Sequence, residues 1–195
     1  MKKLNKNTII IMASGLSKRM GKDKRFLKYR GKTFIDHIFS NLTDFRESHE
    51  IICVTENKII IKKARKKNFR VVYNPNRENG QSESIKLGVK NRKEKGNITF
   101  LAVDLIFVKK EIIEKLEKNL KNNKVIRPIY KTKKDWKYSQ HIFFPRKYEK
   151  ALTKLKNGET GRSVIQKKDV KIIPIYNSKA YLDVDTKKMY RLLKR

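Results

Sequence analysis

The sequence predicts an α/β fold in which a mostly parallel sheet lies between two layers of helices. Short apolar segments alternate with longer segments whose apolar residues fall on one helical face. This alternation is typical of parallel strands joined by right-handed helical crossovers. The chain shows no internal repeat, low-complexity linker or clear boundary, so residues 1–195 are predicted to form one domain.

The predicted strands are apolar runs that end at polar or turn-forming residues, and they are 9–12, 51–55, 69–73, 98–103, 125–130, 141–144, 170–175 and 181–184. The predicted helices are amphipathic, and they are about 33–45, 58–67, 82–91, 109–120, 146–155, 161–166 and 187–193. Thr33 is a candidate cap for the first helix, and Gly158 follows the end of the fifth. Residues 131–137 are predicted to form a charged loop.

The formal net charge of +32 attracts anions, which include nucleic acids, anionic membrane surfaces and phosphorylated small molecules. The lysines are spread over the whole chain, and we find no helix-turn-helix, paired RNA-binding aromatics or zinc spacing. Nucleic acid is therefore not an expected partner, although a basic nucleic-acid-binding protein remains the alternative of another class. No apolar run reaches the ~18 residues of a membrane span, and no signal-like segment opens the chain, so we expect a cytoplasmic protein without a membrane partner.

A polar, cationic loop follows the first predicted strand, and its composition suits a polyphosphate. The small residues Ala13, Ser14 and Gly15 allow a ligand to approach the backbone closely. Arg19 and Lys24 then place positive charge beside the strand end. An ordinary strand-to-loop turn in a lysine-rich protein is the alternative interpretation.

Asp104 ends the otherwise apolar strand predicted over residues 98–103. A carboxylate at such a position must be solvated, paired or bound to a cation, and Mg²⁺ takes carboxylates together with phosphate oxygens. Ligands of parallel sheets bind beyond the carboxyl ends of the strands. We therefore expect Asp104 to meet the cations of the first loop around one nucleotide, while a salt-bridged Asp104 is the structural alternative.

Several segments resemble those of the MobA-like nucleotidyltransferases, and they come closest to the molybdenum cofactor cytidylyltransferases. Residues 13–21 read Ala-Ser-Gly-Leu-Ser-Lys-Arg-Met-Gly, which is similar to the family's signature loop. Residues 74–84, with Asn-Pro followed by Gly-x-Ser-x-Ser, resemble the cytidylyl-type segment that opens a helix. Asp104 falls where relatives have a magnesium-binding Asp in an Asp-x-Pro pattern. This chain lacks the Pro of that pattern. Residues 158–163 and the Asp-x-Asp-Thr of residues 183–186 resemble two late segments.

The resemblance implies a Rossmann-like three-layer sandwich of the nucleotide-diphospho-sugar transferase type. It implies Mg²⁺-dependent transfer of CMP from CTP to a molybdopterin-type cofactor, with release of pyrophosphate. The resemblance assigns catalytic roles to Arg19, Lys24 and Asp104. It assigns nucleotide binding to Ala13, Ser14, Gly15, Arg19, Lys24, Asn74, Gly80, Ser82 and Ser84. It assigns metal binding to Asp104, Asp183 and Asp185. Helix capping is the alternative role for Ser82, Ser84 and Asp185. A sugar or polyol phosphate acceptor, or an inactive relative, also remains open.

Overall fold

The computed structural model describes residues 5–17, 20–120, 123–132, 135–176, 178–182, 184 and 186–193. The strands in this part of the chain are β1 (Asn7–Met12), β2 (Lys28–Tyr29), β3 (Lys32–Thr33), β4 (His49–Thr55), β5 (Arg70–Tyr73), β6 (Ile98–Ala102), β7 (Val125–Lys131), β8 (Trp136–Tyr138), β9 (Phe143–Phe144) and β10 (Val170–Ile175). The helices are α1 (Phe34–Leu42), α2 (Lys58–Lys66), α3 (Gln81–Lys90), α4 (Lys110–Glu117), α5 (Glu149–Leu152) and α6 (Lys187–Leu193). None of these helices has the length and apolar character needed to cross a bilayer.

The main sheet has the strand order β10-β7-β9-β6-β1-β4-β5, and β8 pairs with β7 at one side. β1 lies between β4 and β6 and runs parallel to both. β9 is antiparallel to β6 and β7, and β8 is antiparallel to β7. β2 and β3 form a separate hairpin. The predicted α/β fold with a mostly parallel sheet is confirmed, whereas the assignment of residues 1–195 to one domain stays a prediction.

Alternating side chains of β1 face two helical layers, because successive residues of a strand point to opposite sides of the sheet. Ile9 and Ile11 pack in one apolar cluster with residues of α1, α2 and α4. Ile10 packs in the other cluster with residues of α3 and α5. A Cβ atom at Gly88 of α3 would lie 2.6 Å from Ile10 Cγ2, so α3 lies close against β1. This contact brings the first turn of α3 to the carboxyl end of β1.

Two predicted elements are wrong. Residues 181–184 do not form a strand, because Tyr181 ends a 3₁₀ turn (Ser178–Tyr181) and Leu182 has no regular structure. The apolar residues of this stretch instead reflect the burial of the Tyr181 and Val184 side chains. Residues 131–137, predicted as a loop, include the first residues of β8, and β8 forms an antiparallel pair with β7. That pairing depends on a distant segment, so local sequence does not reveal it.

Candidate functional site

A cavity of about 390 Å³ opens where the first loop, the start of α3 and the carboxyl end of β6 meet. Predicted site residues make up much of its wall, and those that line it are Ser14, Gly15, Lys24, Gly80, Ser84 and Asp104. The cavity therefore lies at the carboxyl ends of parallel strands, as the sequence predicts.

Lys24 and Asp104 meet at the wall of this cavity. Lys24 Nζ lies 2.6 Å from Asp104 Oδ2, and their side chains are only 12% and 11% exposed. The Lys24 amide donates a hydrogen bond to Ser17 Oγ, which folds the first loop back on itself. Asp104 sits in the turn directly after β6. A cation and a carboxylate from distant parts of the chain are thus brought to one point. The salt-bridged Asp104 that the sequence analysis gave as the structural alternative is present, and metal binding by Asp104 stays a prediction.

The turn that carries Asp104 is held by α1 and not by the Pro that relatives have there. Asn41 Nδ2 donates hydrogen bonds to the carbonyls of Ile106 and Val108, at 2.9 Å and 3.2 Å. The Leu105 and Ile106 side chains are buried, which anchors the turn on its apolar side. These contacts explain how the carboxylate keeps a defined position without the Asp-x-Pro pattern.

Arg25 is a buried residue of the site that the sequence analysis did not identify. Its guanidinium is 2% exposed and lies 2.7 Å from Asp23 Oδ2 and 2.8 Å from Glu56 Oε1. It also donates to the Ala13 carbonyl at 2.6 Å, which fixes the start of the first loop. Burial by itself would raise the pKa of Asp23, but the hydrogen bond and the charge of Arg25 outweigh burial and hold that pKa below its usual value.

Arg77 extends these contacts into the cavity. Arg77 Nη1 lies 2.7 Å from Glu56 Oε1, and Nη2 donates to the Gly15 carbonyl at 3.2 Å. The side chain of Arg77 also lines the cavity. We call Asp23, Arg25, Glu56 and Arg77 the buried network. Its two arginines hold the carbonyls at both ends of the small-residue segment of the first loop.

The polar residues before α3 hold a turn and do not all reach the cavity. Asn74 and Ser82 are fully buried, and neither lines the cavity. Asn74 Nδ2 donates to Ser84 Oγ at 3.2 Å, which orients a hydroxyl that does line it. Gly80 has φ 79° and ψ −154°, a conformation that strains any residue with a Cβ atom. Direct nucleotide contacts by Asn74 and Ser82, and by the buried Ala13, stay predictions.

Asp104 is the described member of the predicted metal site, because Asp183 and Asp185 lie outside the described residues, as does Arg19. The described residues contain no cluster of three or more His, Cys, Asp or Glu side chains that could hold a metal. Mg²⁺ does not need such a cluster, since it keeps several waters and binds through one or two carboxylates and substrate phosphates. The carboxylate of Asp104 beside an open cavity fits this requirement.

Two smaller cavities, of about 150 Å³ and 100 Å³, adjoin the 390 Å³ cavity, because Gln140 lines all three. Arg162 lines both of the smaller cavities. Asp104 itself borders the smaller one. His141 is close in sequence but fully buried, and it lines neither cavity. Burial lowers the pKa of His141 to about 3, which keeps its ring neutral.

Solved structures with this fold include several nucleotide-related enzymes. The protein Rv0371c of Mycobacterium tuberculosis is 18% identical, with a TM-score of 0.76 over 98% of both chains, and it has also been determined with manganese. The 4-diphosphocytidyl-2C-methyl-D-erythritol synthase of Anaerococcus prevotii is 18% identical, with a TM-score of 0.74 over 97% of this chain and 95% of that one. The molybdopterin-guanine dinucleotide biosynthesis protein A of Archaeoglobus fulgidus is 15% identical, with a TM-score of 0.68 over 96% of each chain.

Sequence comparison with curated proteins gives no match. The family model of the MobA-like NTP transferase domain, in contrast, matches residues 9–172. This range includes the first loop, the segment before α3 and Asp104. The chain therefore belongs to the MobA-like NTP transferase family of nucleotidyltransferases.

Proposed function

We propose that this protein is a Mg²⁺-dependent cytidylyltransferase that transfers CMP from CTP to a molybdopterin-type phosphorylated acceptor and releases pyrophosphate. The observation that carries the proposal is the contact between Lys24 Nζ and Asp104 Oδ2 at the wall of the cavity of about 390 Å³. A cation for a phosphate and a carboxylate for a metal are the two charges that a nucleotide triphosphate with Mg²⁺ requires.

The reaction needs no nucleophile from the protein, since a phosphate oxygen of the acceptor attacks the α-phosphorus. The new bond joins that oxygen to the α-phosphorus, and the bond from the α-phosphorus to the bridging oxygen of the β-phosphate breaks. Asp104 would hold Mg²⁺, which neutralises charge on the triphosphate when bound. Lys24, and Arg19 from the same loop, would neutralise the departing pyrophosphate. Catalysis then rests on in-line placement and charge stabilisation.

The base and ribose would lie against the start of α3. Ser84 accepts a hydrogen bond from Asn74 and lines the cavity, so its hydroxyl proton is available to an acceptor on the ligand. The backbone N–H groups in the first turn of α3 lack partners within the helix and can bind oxygen atoms in the same way. Ser14 lines the same cavity.

A sugar or polyol phosphate is the second candidate acceptor. The two smaller cavities that adjoin the nucleotide cavity measure only about 150 Å³ and 100 Å³. This space suits a compact phosphorylated acceptor better than a tricyclic pterin. Parallel transfer assays with molybdopterin and with polyol phosphates distinguish the two candidates.

The proposal is tested by the variant Asp104→Asn. We expect pyrophosphate release from CTP to fall by about 10²-fold or more, because a charge that holds the metal is lost at the reacting centre. The exposed Asp44, in the turn after α1, supplies the matched control Asp44→Asn, which should keep the wild-type rate.

Thermal unfolding with each of the four nucleotide triphosphates and Mg²⁺ identifies the donor. We expect selective stabilisation by CTP, and stabilisation by another triphosphate alone would contradict the cytidylyl assignment. Unchanged pyrophosphate release by Asp104→Asn would contradict the catalytic role of this carboxylate. Steeply salt-dependent binding to nucleic acid without any transfer would favour the nucleic-acid alternative.

A further inference from the structure

Two arginines, Arg127 and Arg162, lie outside the 390 Å³ cavity that the proposed function gives to the nucleotide, and we call this region the far side of Asp104. Arg162 lines both of the smaller cavities. Arg127, on β7, stacks its guanidinium over the ring of Tyr138 at 4.1 Å from the ring centre, and Tyr138 lines the cavity that Asp104 borders. We call Arg127 and Arg162 the arginine pair.

The backbone around Arg162 holds this residue in place. Arg162 belongs to a 3₁₀ turn (Gly161–Val164) whose first residues are held by reciprocal hydrogen bonds between Thr160 and Ser163. A Cβ atom at position 161 would lie 3.1 Å from the ring of Phe144, so the absence of a side chain at Gly161 lets the turn pack closely on that ring. The turn thereby brings Arg162 to the edge of the sheet beside Asp104.

The charges of the arginine pair are not balanced by acids. Among the described residues, no carboxylate forms an ion pair with either guanidinium. Arg127 Nε is buried and has no hydrogen-bond partner in this part of the chain. Burial lowers the pKa of Arg127, and the nearby charge of Arg162 lowers it further. Arg127 is thus partly desolvated and feels the like charge of the exposed Arg162, and an anion bound beside both would relieve this repulsion.

We propose that the arginine pair is a binding site for a phosphomonoester dianion. Guanidinium groups bind phosphate oxygens through paired hydrogen bonds, which a single lysine cannot do. That this phosphate belongs to the acceptor rests on the proposed function. A phosphomonoester has three terminal oxygens, so two can bind the arginine pair while the third faces Asp104 and the α-phosphorus. The acceptor would then be recognised first by its phosphate.

The test titrates the full chain with inorganic phosphate by calorimetry at constant ionic strength, without nucleotide or Mg²⁺. We expect Arg162→Gln and Arg127→Gln each to weaken phosphate binding about tenfold, since a hydrogen-bonded charge is removed. Arg162→Lys should recover only part of the loss, because it restores the charge without the fork. Arg65→Gln, on the exposed face of α2, is the matched control and should bind like the wild type.

Arg162 lies on an exposed turn, so its variants should fold even if Arg127→Gln does not. Equal phosphate affinity in wild type, Arg162→Gln and Arg162→Lys would overturn the proposal. Loss of binding in Lys24→Gln alone would also overturn it, since the phosphate would then occupy the triphosphate side. Neither result affects the stabilisation by CTP, which tests the proposed function separately. Conversely, a chain that binds phosphate through the arginine pair without binding CTP would keep this site and lose the cytidylyl assignment.

Discussion

On the first-loop side of Asp104, both arginines of the buried network contact a carboxylate. Arg25 lies between Asp23 and Glu56, and Arg77 contacts Glu56 from the cavity. On the far side, neither arginine of the arginine pair forms an ion pair with a carboxylate among the described residues. Buried atoms without a hydrogen-bond partner in the described part of the chain occur in both regions, at Glu56 and Arg77 as well as at Arg127, so the regions differ in charge balance. The same carboxylate thus separates a region whose charges are balanced from one whose charges are not.

The two phosphate sites that we propose would therefore be prepared in different ways. In the buried network, acids fix the arginines, and the arginines fix the carbonyls of Ala13 and Gly15. The backbone of the first loop is therefore organised before any ligand binds. The charge of the arginine pair is instead not balanced by acids among the described residues, and the phosphate that we propose there would balance it. Substitutions on the first-loop side should change stability and geometry, whereas substitutions in the arginine pair should change anion affinity.

The largest expected effect on stability comes from Arg25→Met. Removal of this 2% exposed guanidinium leaves Asp23 without its partner and Glu56 with Arg77 alone, and breaking a buried ion pair costs about 3–5 kcal/mol. Urea denaturation should show this loss in the free energy of unfolding. The exposed Arg46 supplies the control Arg46→Met, which should lose less than about 0.5 kcal/mol. A similar small loss for Arg25→Met would show that the buried network does not hold the first loop.

The smaller substitution Arg77→Gln addresses the part of the buried network that faces the cavity. We expect CTP binding to weaken about tenfold, because the Gly15 carbonyl loses its charged donor and the cavity loses a positive charge. Calorimetric titration with CTP and Mg²⁺ measures this change.

The control for this substitution is Arg70→Gln. Arg70 pairs with Glu50 at 3.2 Å and is exposed to a similar extent, 34% against 29% for Arg77, but it lies outside the cavity. The two variants lose comparable ion pairs and the same single charge. A difference between their CTP affinities therefore reflects the position of Arg77 in the cavity. Equal affinities of the two variants for CTP would remove Arg77 from the site.

The two regions also differ in how far their sequence reveals them. The first loop is one contiguous segment after an apolar strand, and Asp104 follows another such strand, so their meeting could be predicted from the shared edge of a parallel sheet. Arg25 could not, because in the sequence it is one cation in a basic segment. Only the fold shows that its guanidinium is enclosed by Asp23 and Glu56.

The far side is assembled from separate segments, and one of them was not predicted. Tyr138, which covers Arg127, belongs to β8, a strand that exists through its pairing with β7. The resemblance over residues 158–163 marked the segment of Arg162 without giving that residue a role. Sequence alone could not show that the charge of Arg162 acts on Arg127, because one residue lies on β7 and the other on the turn that packs on Phe144.

The smallest expected effect concerns His141, whose ring is buried beside Phe143 and lacks hydrogen-bond partners for both nitrogens in the described chain. Burial lowers its pKa from 6.5 to about 3. Between these values the unfolded chain binds a proton that the native chain does not, so stability falls as the pH decreases below 6.5. The loss should be about 1 kcal/mol for each pH unit.

His141→Phe should remove the part of the pH dependence of stability that is due to His141, because phenylalanine does not titrate and fills a similar volume. At pH 7 the variant should be as stable as the wild type or slightly more stable, since two unpartnered polar atoms are removed. At pH 5.5 it should be about 1 kcal/mol more stable relative to the wild type than at pH 7. Urea denaturation at the two pH values measures the difference, and parallel pH dependence in both proteins would mean that His141 is protonated or solvated in the native state.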